Sequence, residues 1–133
     1  MISLMYVSQC TLQRGKTDEA VADIVQRSIS RNAALDVTGA LIFTGAHFAQ
    51  ALEGSARSVD ELMLSICRDE RHRHVTIVDR SQIVSRRFTN WQLAYQGPST
   101  YVGRPIENLV DSNGLSSSRD VERVYELLSH FAG

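Results

Sequence analysis

The chain has 133 residues, of which 43% are hydrophobic and 22% charged, so it is long enough for one folded domain with its own core. Its formal net charge of −1 gives no electrostatic basis for binding nucleic acid, and its apolar runs are too short to cross a membrane. Cys10 and Cys67 lack metal-ligand spacing and the N-terminus lacks a signal-peptide pattern, which predicts a cytoplasmic protein with free thiols.

The hydrophobic periodicity and the turn signals predict the elements in chain order. They are strands over 2–8, 40–44, 47–53 and 90–95, a fourth strand that begins with residues 75–78, a helix over 17–33, a helix opened by a capping box at Ser58, a short helix over 105–110 and a last helix over 117–131. The order up to residue 97 is the split βαβ pattern.

The sequence therefore predicts an α+β fold, in which a ferredoxin-like βαββαββ sheet carries two helices on one face and C-terminal helices follow. Residues 1–97 are expected to form the main domain. Residues 98–133 are expected to form a helical extension that is too short to bury a core of its own.

Two polar side chains interrupt strands that are otherwise predicted to be buried. Alternation puts Gln50 on one face with Phe48 and Leu52, and Tyr6 among the aliphatic residues of the first strand. A lone glutamine in a strand is more often exposed or bonded to nearby backbone. If both side chains are buried, they form a small polar site inside an apolar pocket, because a buried carboxamide needs partners.

The ends of the first two predicted helices carry further polar candidates. Ser30, Arg31 and Asn32 close the first helix, and the charged run 68–74 closes the second. Such ends are most often solvated. In a split βαβ fold the two ends lie side by side, so that Arg31, Arg71 and His72 together offer donors for phosphate oxygens.

Other motifs suggest packing rather than chemistry. Trp91 shares a strand face with Leu93 and Tyr95, which favours a place in the core. Arg86 and Arg87 are expected to stay exposed. No P-loop, no GxGxxG and no Ser/His/Asp or Cys/His arrangement is present, so no catalytic residue and no metal site is predicted.

Five short motifs, taken in order, resemble the BLUF domain family, which are flavin-binding sensors of blue light. They are Tyr6-Val7-Ser8, Asn32 six residues before Thr38-Gly39, Phe48-Ala49-Gln50-Ala51-Leu52-Glu53-Gly54, Asp69-Glu70-Arg71-His72, and Arg86-Arg87-Phe88 followed by Trp91. Each motif is weak alone, but five at family-like spacing are specific. The similarity runs from Ile2 to about Gly97.

The resemblance implies roles for the residues around a flavin ring. Tyr6 would donate an electron and a proton to the excited flavin, and Gln50 would bridge Tyr6 and the flavin before it rearranges by rotation or tautomerisation. Asn32 would hydrogen-bond the ring, and Trp91 would sit close to Gln50. The implied cofactor is FAD, with FMN or riboflavin as possible occupants, bound between the two helices.

The resemblance also implies contacts on the polar side of the cofactor. Ser30, Arg31, Arg71 and His72 match those positions, and they complete the predicted binding set. Many relatives have Asn where Arg31 stands and Met where Leu93 stands, so the phosphate side and the output strand are where this chain departs from the family pattern.

The function implied by the resemblance is a photoreceptor that is not an enzyme and that signals through a homo-oligomer or a separate effector protein. One alternative is a small acylphosphatase-like hydrolase, for which Ser8-Gln9-Cys10-Thr11 makes a poor phosphate loop. A second alternative is a ligand-binding or interaction module without photochemistry.

The last predicted helix has an apolar stripe that something must cover. The sheet face opposite the first two helices and a partner protein are the two candidates. The stripe consists of Val121, Val124, Tyr125, Leu128 and Phe131.

Overall fold

The computed structural model describes residues 1–12, 17–97, 100–111 and 118–132. The predicted order of elements is confirmed. The strands are β1 (Ile2–Cys10), β2 (Thr38–Phe43), β3 (His47–Gly54), β4 (His72–Gln82) and β5 (Trp91–Gln96). The helices are α1 (Thr17–Ala34), α2 (Ala56–Arg68), α3 (Thr100–Asp111) and α4 (Ser118–Ala132).

The five strands form one mixed sheet in the order β4-β1-β3-β2-β5. Antiparallel pairing joins β1 to β3 and to β4, and joins β2 to β3. β5 adds to the free edge of β2 in parallel, with Gly39 opposite Trp91. This is the predicted ferredoxin-like βαββαββ arrangement.

Alternation along the strands divides the core into two layers. The front layer, defined here as the sheet face under α1 and α2, contains Leu4 and Tyr6 of β1 and Leu52 of β3. The back layer contains Met5 and Val7 of β1 with the C-terminal helices. Tyr6 and Gln50 are directly opposite each other in the antiparallel ladder of β1 and β3. Their side chains therefore leave the sheet on the same face, next to each other.

The C-terminal helices cover the back face, which was one of the two predicted uses of the apolar stripe. Val124 and Leu128 are fully buried against Met5 and Ile42 of the sheet. Leu127, which lies beside the predicted stripe, is buried as well, while Phe131 packs at the margin of the layer.

Three predicted starts of elements are wrong. α2 starts before the expected capping box, because Ser55 rather than Ser58 is the N-cap and its Oγ accepts the backbone N–H of Ser58 at 3.1 Å. α3 starts five residues before Pro105, although a proline removes one helix hydrogen bond. β4 begins at His72 rather than at Val75, because His72 already pairs with Cys10 of β1.

Candidate functional site

A cavity of about 550 Å³ lies between α1, α2 and the front face of the sheet. Its floor is built by Tyr6, Leu41, Phe48 and Gln50, which come from three neighbouring strands. The floor combines apolar side chains with one phenol and one carboxamide. A cavity of this size and composition fits a flat, partly apolar ligand that presents a few polar edge groups.

A chain of hydrogen bonds runs across the floor from Tyr6 through Gln50 to Trp91. The Gln50 Nε2 donates to the Tyr6 Oη at 2.5 Å, and the Trp91 Nε1 donates to the Gln50 Oε1 at 2.8 Å. An indole N–H can only donate, so it requires the amide oxygen to face Trp91 and the amide nitrogen to face Tyr6. Trp91 thereby fixes the orientation of the Gln50 side chain.

Burial controls the chemistry of these three hydrogen-bonded side chains. Tyr6, Gln50 and Trp91 are 3%, 4% and 7% exposed. Removal from water raises the pKa of the Tyr6 phenol well above its ordinary value, although the Gln50 hydrogen bond opposes the shift. Tyr6 is therefore a protonated phenol at neutral pH. Trp91 is part of the front layer with Leu93, as predicted, and it also contacts Gln50. Tyr95, which was predicted on the same face, packs against the back layer instead, because the pairing of β5 with β2 shifts register between Leu93 and Tyr95.

Asn32 does not itself line the cavity, but it follows Arg31, which does, and it presents an unsatisfied donor. Its side chain is fully buried, and its Nδ2 has no hydrogen-bond partner among the described residues. Its Oδ1 accepts from the Nε of Arg31, which lines the cavity, at 3.3 Å. Because an unpaired buried amide is costly, the arrangement is suited to a ligand that offers a carbonyl oxygen.

The rim of the cavity is rich in arginine. Arg71 donates to both carboxylate oxygens of Asp69 and to Asp23, which fixes its position. The hydrogen bond from Arg71 lowers the pKa of Asp69, and the same bond raises that of Arg71. Arg31 and Arg68 also line the rim, and no carboxylate of the described residues lies within salt-bridge distance of either.

His72 connects the sheet floor to the end of α2. The Nε2 lies 2.7 Å from the Ile66 carbonyl oxygen and the Nδ1 lies 2.9 Å from the Ser8 hydroxyl. A carbonyl can only accept, so Nε2 carries the hydrogen and Nδ1 accepts from Ser8. The ring stands edge-on to Tyr6 and to Phe48, which keeps it against the cavity floor.

The other predicted site residues differ in how close they lie to the cavity. Ser30 is exposed on α1 and is not part of the cavity lining, whereas Ser28, one half-turn earlier, is buried and lines it. Leu93 is half-buried against the front layer.

The sequence did not predict the structural roles of two charged residues, Glu53 and Arg86. Glu53 is buried on the back side of β3, a position that its alternation with Ala51 already indicated. Arg86, which was expected to stay exposed, is partly buried and donates to four oxygens on residues of β2, β3 and the turn before β2. The expectation failed because these acceptors come from residues more than thirty positions away.

The fold and the site define a small α+β domain that can hold a ligand over a tyrosine–glutamine pair. The chain belongs to the BLUF family, whose sequence pattern, described as sensors of blue-light using FAD, matches residues 1–94. The predicted family is therefore confirmed.

Curated relatives share this domain within longer chains. The photoactivated adenylate cyclase subunit beta of Euglena longa is 33% identical over 94 residues, which are 70% of this chain and 11% of the relative. The blue light- and temperature-regulated antirepressor BluF of Escherichia coli (strain K12) is 37% identical over 68 residues, which are 51% of this chain and 17% of the relative. The chain thus spans only a small part of these relatives.

Solved structures of similar size resemble the whole described chain. The dark-state structure of BlrB, a BLUF protein, has a TM-score of 0.76 and 28% identity, covering 97% of this chain and 95% of that one. The ground state of BlsA has a TM-score of 0.79 at 21% identity, covering 96% and 87%, and this likeness supports the fold alone.

The residues at the cavity fit a flavin. The isoalloxazine ring is flat and apolar with carbonyl oxygens at one edge, which matches the apolar floor and the unpaired Asn32 donor. Gln50 uses only one of its two amide hydrogens for Tyr6, so the second is available to a ligand in the cavity that Gln50 lines.

No described helix is long and apolar enough to cross a membrane.

Proposed function

We propose that this chain is a blue-light photoreceptor that holds FAD between α1 and α2 and signals through a rearrangement of Gln50. The observation that carries the proposal is the buried hydrogen-bond chain of Tyr6, Gln50 and Trp91 at the cavity floor. The proposed binding set adds Asn32 and His72 for the ring. Among the serines, the cavity-lining Ser28 takes the role that the sequence suggested for Ser30.

Tyr6 is the redox-active residue in this proposal. When bound, the flavin supplies the absorption of blue light and, once excited, the capacity to accept an electron. Tyr6 gives up an electron and its phenolic proton and later takes both back, so that no net oxidation remains. Its hydroxyl oxygen is the acceptor in the bond from Gln50, which leaves its own hydrogen available for transfer.

In this proposal, the Gln50 amide stays rearranged after Tyr6 has taken back its electron and proton. If its amide rotates, the oxygen comes to face the Tyr6 hydroxyl, which can donate to it. The amide nitrogen then faces the indole nitrogen of Trp91, and two donors cannot bond to each other. A tautomeric change of the amide alters the same two contacts. Rotation therefore reaches β5 through the loss of the Trp91 hydrogen bond, whereas a tautomeric change weakens that bond by turning the amide oxygen into a hydroxyl.

A hydrogen bond connects β5 to the end of α4. Gln92, which follows Trp91, donates to the carbonyl of Ala132 at the end of α4. A change in β5 can therefore alter how α4 lies on the back face. We propose that a second copy of the chain or a separate effector protein binds the two states unequally, since otherwise no signal passes.

We also propose a division of the chain at residue 97. All residues that line the cavity precede it, and the family pattern ends at residue 94. Residues 98–133 are then a helical extension for output, without catalytic residues. A cytoplasmic location is proposed from Cys10 and Cys67, which are both free thiols.

An absorption spectrum before and after blue light tests the proposed function. We expect the purified protein to be yellow, to release a non-covalent flavin on denaturation, and to shift its visible band reversibly to the red on illumination. A colourless protein that hydrolyses an acyl phosphate would favour the acylphosphatase-like alternative. Colourless protein that takes up neither FAD, FMN nor riboflavin would exclude the photoreceptor.

The arginine rim predicts a preference for phosphorylated flavins. Arg68 lies at the cavity mouth without a carboxylate partner and is exposed, so its bond to a phosphate is partly screened by water. We expect Arg68→Gln to weaken FMN binding by roughly threefold to tenfold, which is the range for one hydrogen bond to a charged group at a surface. Riboflavin binding should not change.

The control for Arg68→Gln is Arg57→Gln, which removes an exposed arginine from the first turn of the same helix. Titration of each apoprotein with FMN and with riboflavin measures the two affinities. Equal loss of FMN and riboflavin affinity in Arg68→Gln would contradict a phosphate contact.

A further inference from the structure

The segment between β4 and β5 is held by a buried carboxylate. Glu53 is 1% exposed, and both of its oxygens face the backbone of this segment. The Oε1 accepts the N–H groups of Arg87 and Phe88, each at 2.8 Å, and the Oε2 accepts that of Arg87 at 3.0 Å. Backbone donors thus satisfy a charge that would otherwise be very costly at this depth.

The side chain of Arg86 ties the same segment from its other side. It donates to the Thr38 hydroxyl at 2.8 Å, to the Glu53 carbonyl at 2.8 Å and to the Asp36 carbonyl at 2.9 Å. Glu53 is therefore bonded twice, through its carboxylate by the backbone and through its carbonyl by Arg86. Residues 86–88 have little freedom to shift along the sheet.

These bonds determine where β5 begins. The Asn90 carbonyl accepts the N–H of Gly39 at 3.0 Å, immediately before the pairing of Gly39 with Trp91. A Cβ on Gly39 would lie 1.9 Å from the Ala51 carbonyl oxygen, so β2 and β3 approach each other closely at this point. Trp91 follows the held residue Phe88 by three positions, and its Nε1 reaches Gln50 across β2.

We propose that Glu53 is a positioning residue for the light response, because it fixes residues 86–88 and thereby keeps Trp91 in hydrogen-bond contact with Gln50. Gln50 and Glu53 lie on opposite faces of β3, so one strand carries both the switching amide and the anchor of its indole partner. The photochemical part of this inference rests on the proposed function, whereas the position of Trp91 does not.

The chemistry of a carboxylate explains why glutamate is needed at position 53. Its two oxygens only accept, and they meet two backbone N–H groups that only donate. In Glu53→Gln one oxygen becomes an NH2 group, which faces a backbone donor while its volume stays nearly the same. This variant therefore disturbs the anchor without creating a cavity.

Trp91 is the only tryptophan of the chain, so its fluorescence reports its position directly. In the flavin-loaded protein, we expect Glu53→Gln to shift the emission of Trp91 to the red and to increase its quenching by acrylamide by about twofold or more, because a 7% exposed indole gains access to water. The matched control is Glu61→Gln on the exposed side of α2, which should leave both signals unchanged. Folded Glu53→Gln with unchanged Trp91 signals would overturn the proposal.

A double variant separates positioning from general destabilisation. If Glu53 acts through Trp91, adding Glu53→Gln to Trp91→Phe should change the dark-recovery rate by no more than about twofold, the usual limit of additivity error. If the changes in dark-recovery rate caused by Glu53→Gln and by Trp91→Phe multiply in the double variant, the two residues act independently and the proposal is contradicted. If the unmodified protein does not photoconvert, the proposed function fails while the fluorescence comparison still decides the role of Glu53.

Arg86→Lys covers the case in which Glu53→Gln does not fold. Lysine keeps the charge but cannot bond three oxygens with a planar fork. The variant should give the same direction of change in Trp91 emission and quenching. Unchanged signals in folded Arg86→Lys would then overturn the proposal.

Discussion

Tyr6→Phe is expected to keep flavin in the cavity and to lose the light-induced red shift completely. Phenylalanine fills the same space on the cavity floor, so the packing against His72 and the sheet is retained. It has no hydroxyl, so it has no phenolic proton to give and no oxygen to accept the Gln50 amide. The unpaired amide should lower the free energy of unfolding by about 1–3 kcal/mol. Light-minus-dark absorption spectra of the purified variant measure the loss.

Tyr125→Phe provides the matched control for this variant. The Tyr125 hydroxyl is also buried, but it lies on the back side of the sheet, where it bonds to Ser3 and donates to Asp79 at 2.8 Å. Its removal should cost a similar amount of stability and leave the red shift unchanged. A red shift of normal size in Tyr6→Phe would rule out Tyr6 as the electron and proton donor.

Gln50→Leu should also abolish the normal red shift, although its volume stays similar. The change removes the amide that hydrogen-bonds to both Tyr6 and Trp91. The Trp91 N–H and the Tyr6 hydroxyl then lose their partner in a water-free layer, at a cost of about 1–3 kcal/mol for each unsatisfied group. Flavin absorption spectra and urea unfolding curves measure the two effects.

The control for Gln50→Leu is Gln9→Leu, which removes another strand glutamine. Gln9 is on β1 and alternates with the front-facing Ser8 and Cys10, so it lies on the other side of the sheet. It should photoconvert like the unmodified protein. If Gln50→Leu also converts normally, the amide is not the switch, and the light response has to be assigned to another group.

The local part of the fold could be predicted from the sequence because it depends on periodicity alone. Alternation in β1 and β3 placed Tyr6 and Gln50 on one buried face, and the antiparallel register then made them neighbours. The apolar stripe of α4 predicted that the helix covers another surface. Boundaries were less certain because a cap such as Ser55 competes with equally good signals one turn later.

The contacts of the site could not be predicted, because they depend on which strands pair and in which register, and residue spacing along the sequence does not contain that information. Trp91 was expected in the core, and it lies there, but its bond to Gln50 requires the parallel addition of β5 to β2 in one particular register. Glu53 accepts from backbone N–H groups, and Arg86 donates to two backbone carbonyls and to the side chains of Thr38 and Asp36. All of these partners lie more than thirty residues away, and no short sequence motif marks them.

The amino-acid sequence by itself thus determined the family, the layers of the fold and the polar pair on the cavity floor, since each follows from residue types at short spacing. The tertiary structure alone decided which way the Gln50 amide faces, that the Asn32 Nδ2 has no partner among the described residues, and that a carboxylate behind the sheet holds the segment leading to Trp91. The physical reason is that a hydrogen bond is directional and forms only within a range of donor–acceptor distances a few tenths of an ångström wide. Positions of that precision are set only when segments far apart in the chain pack together.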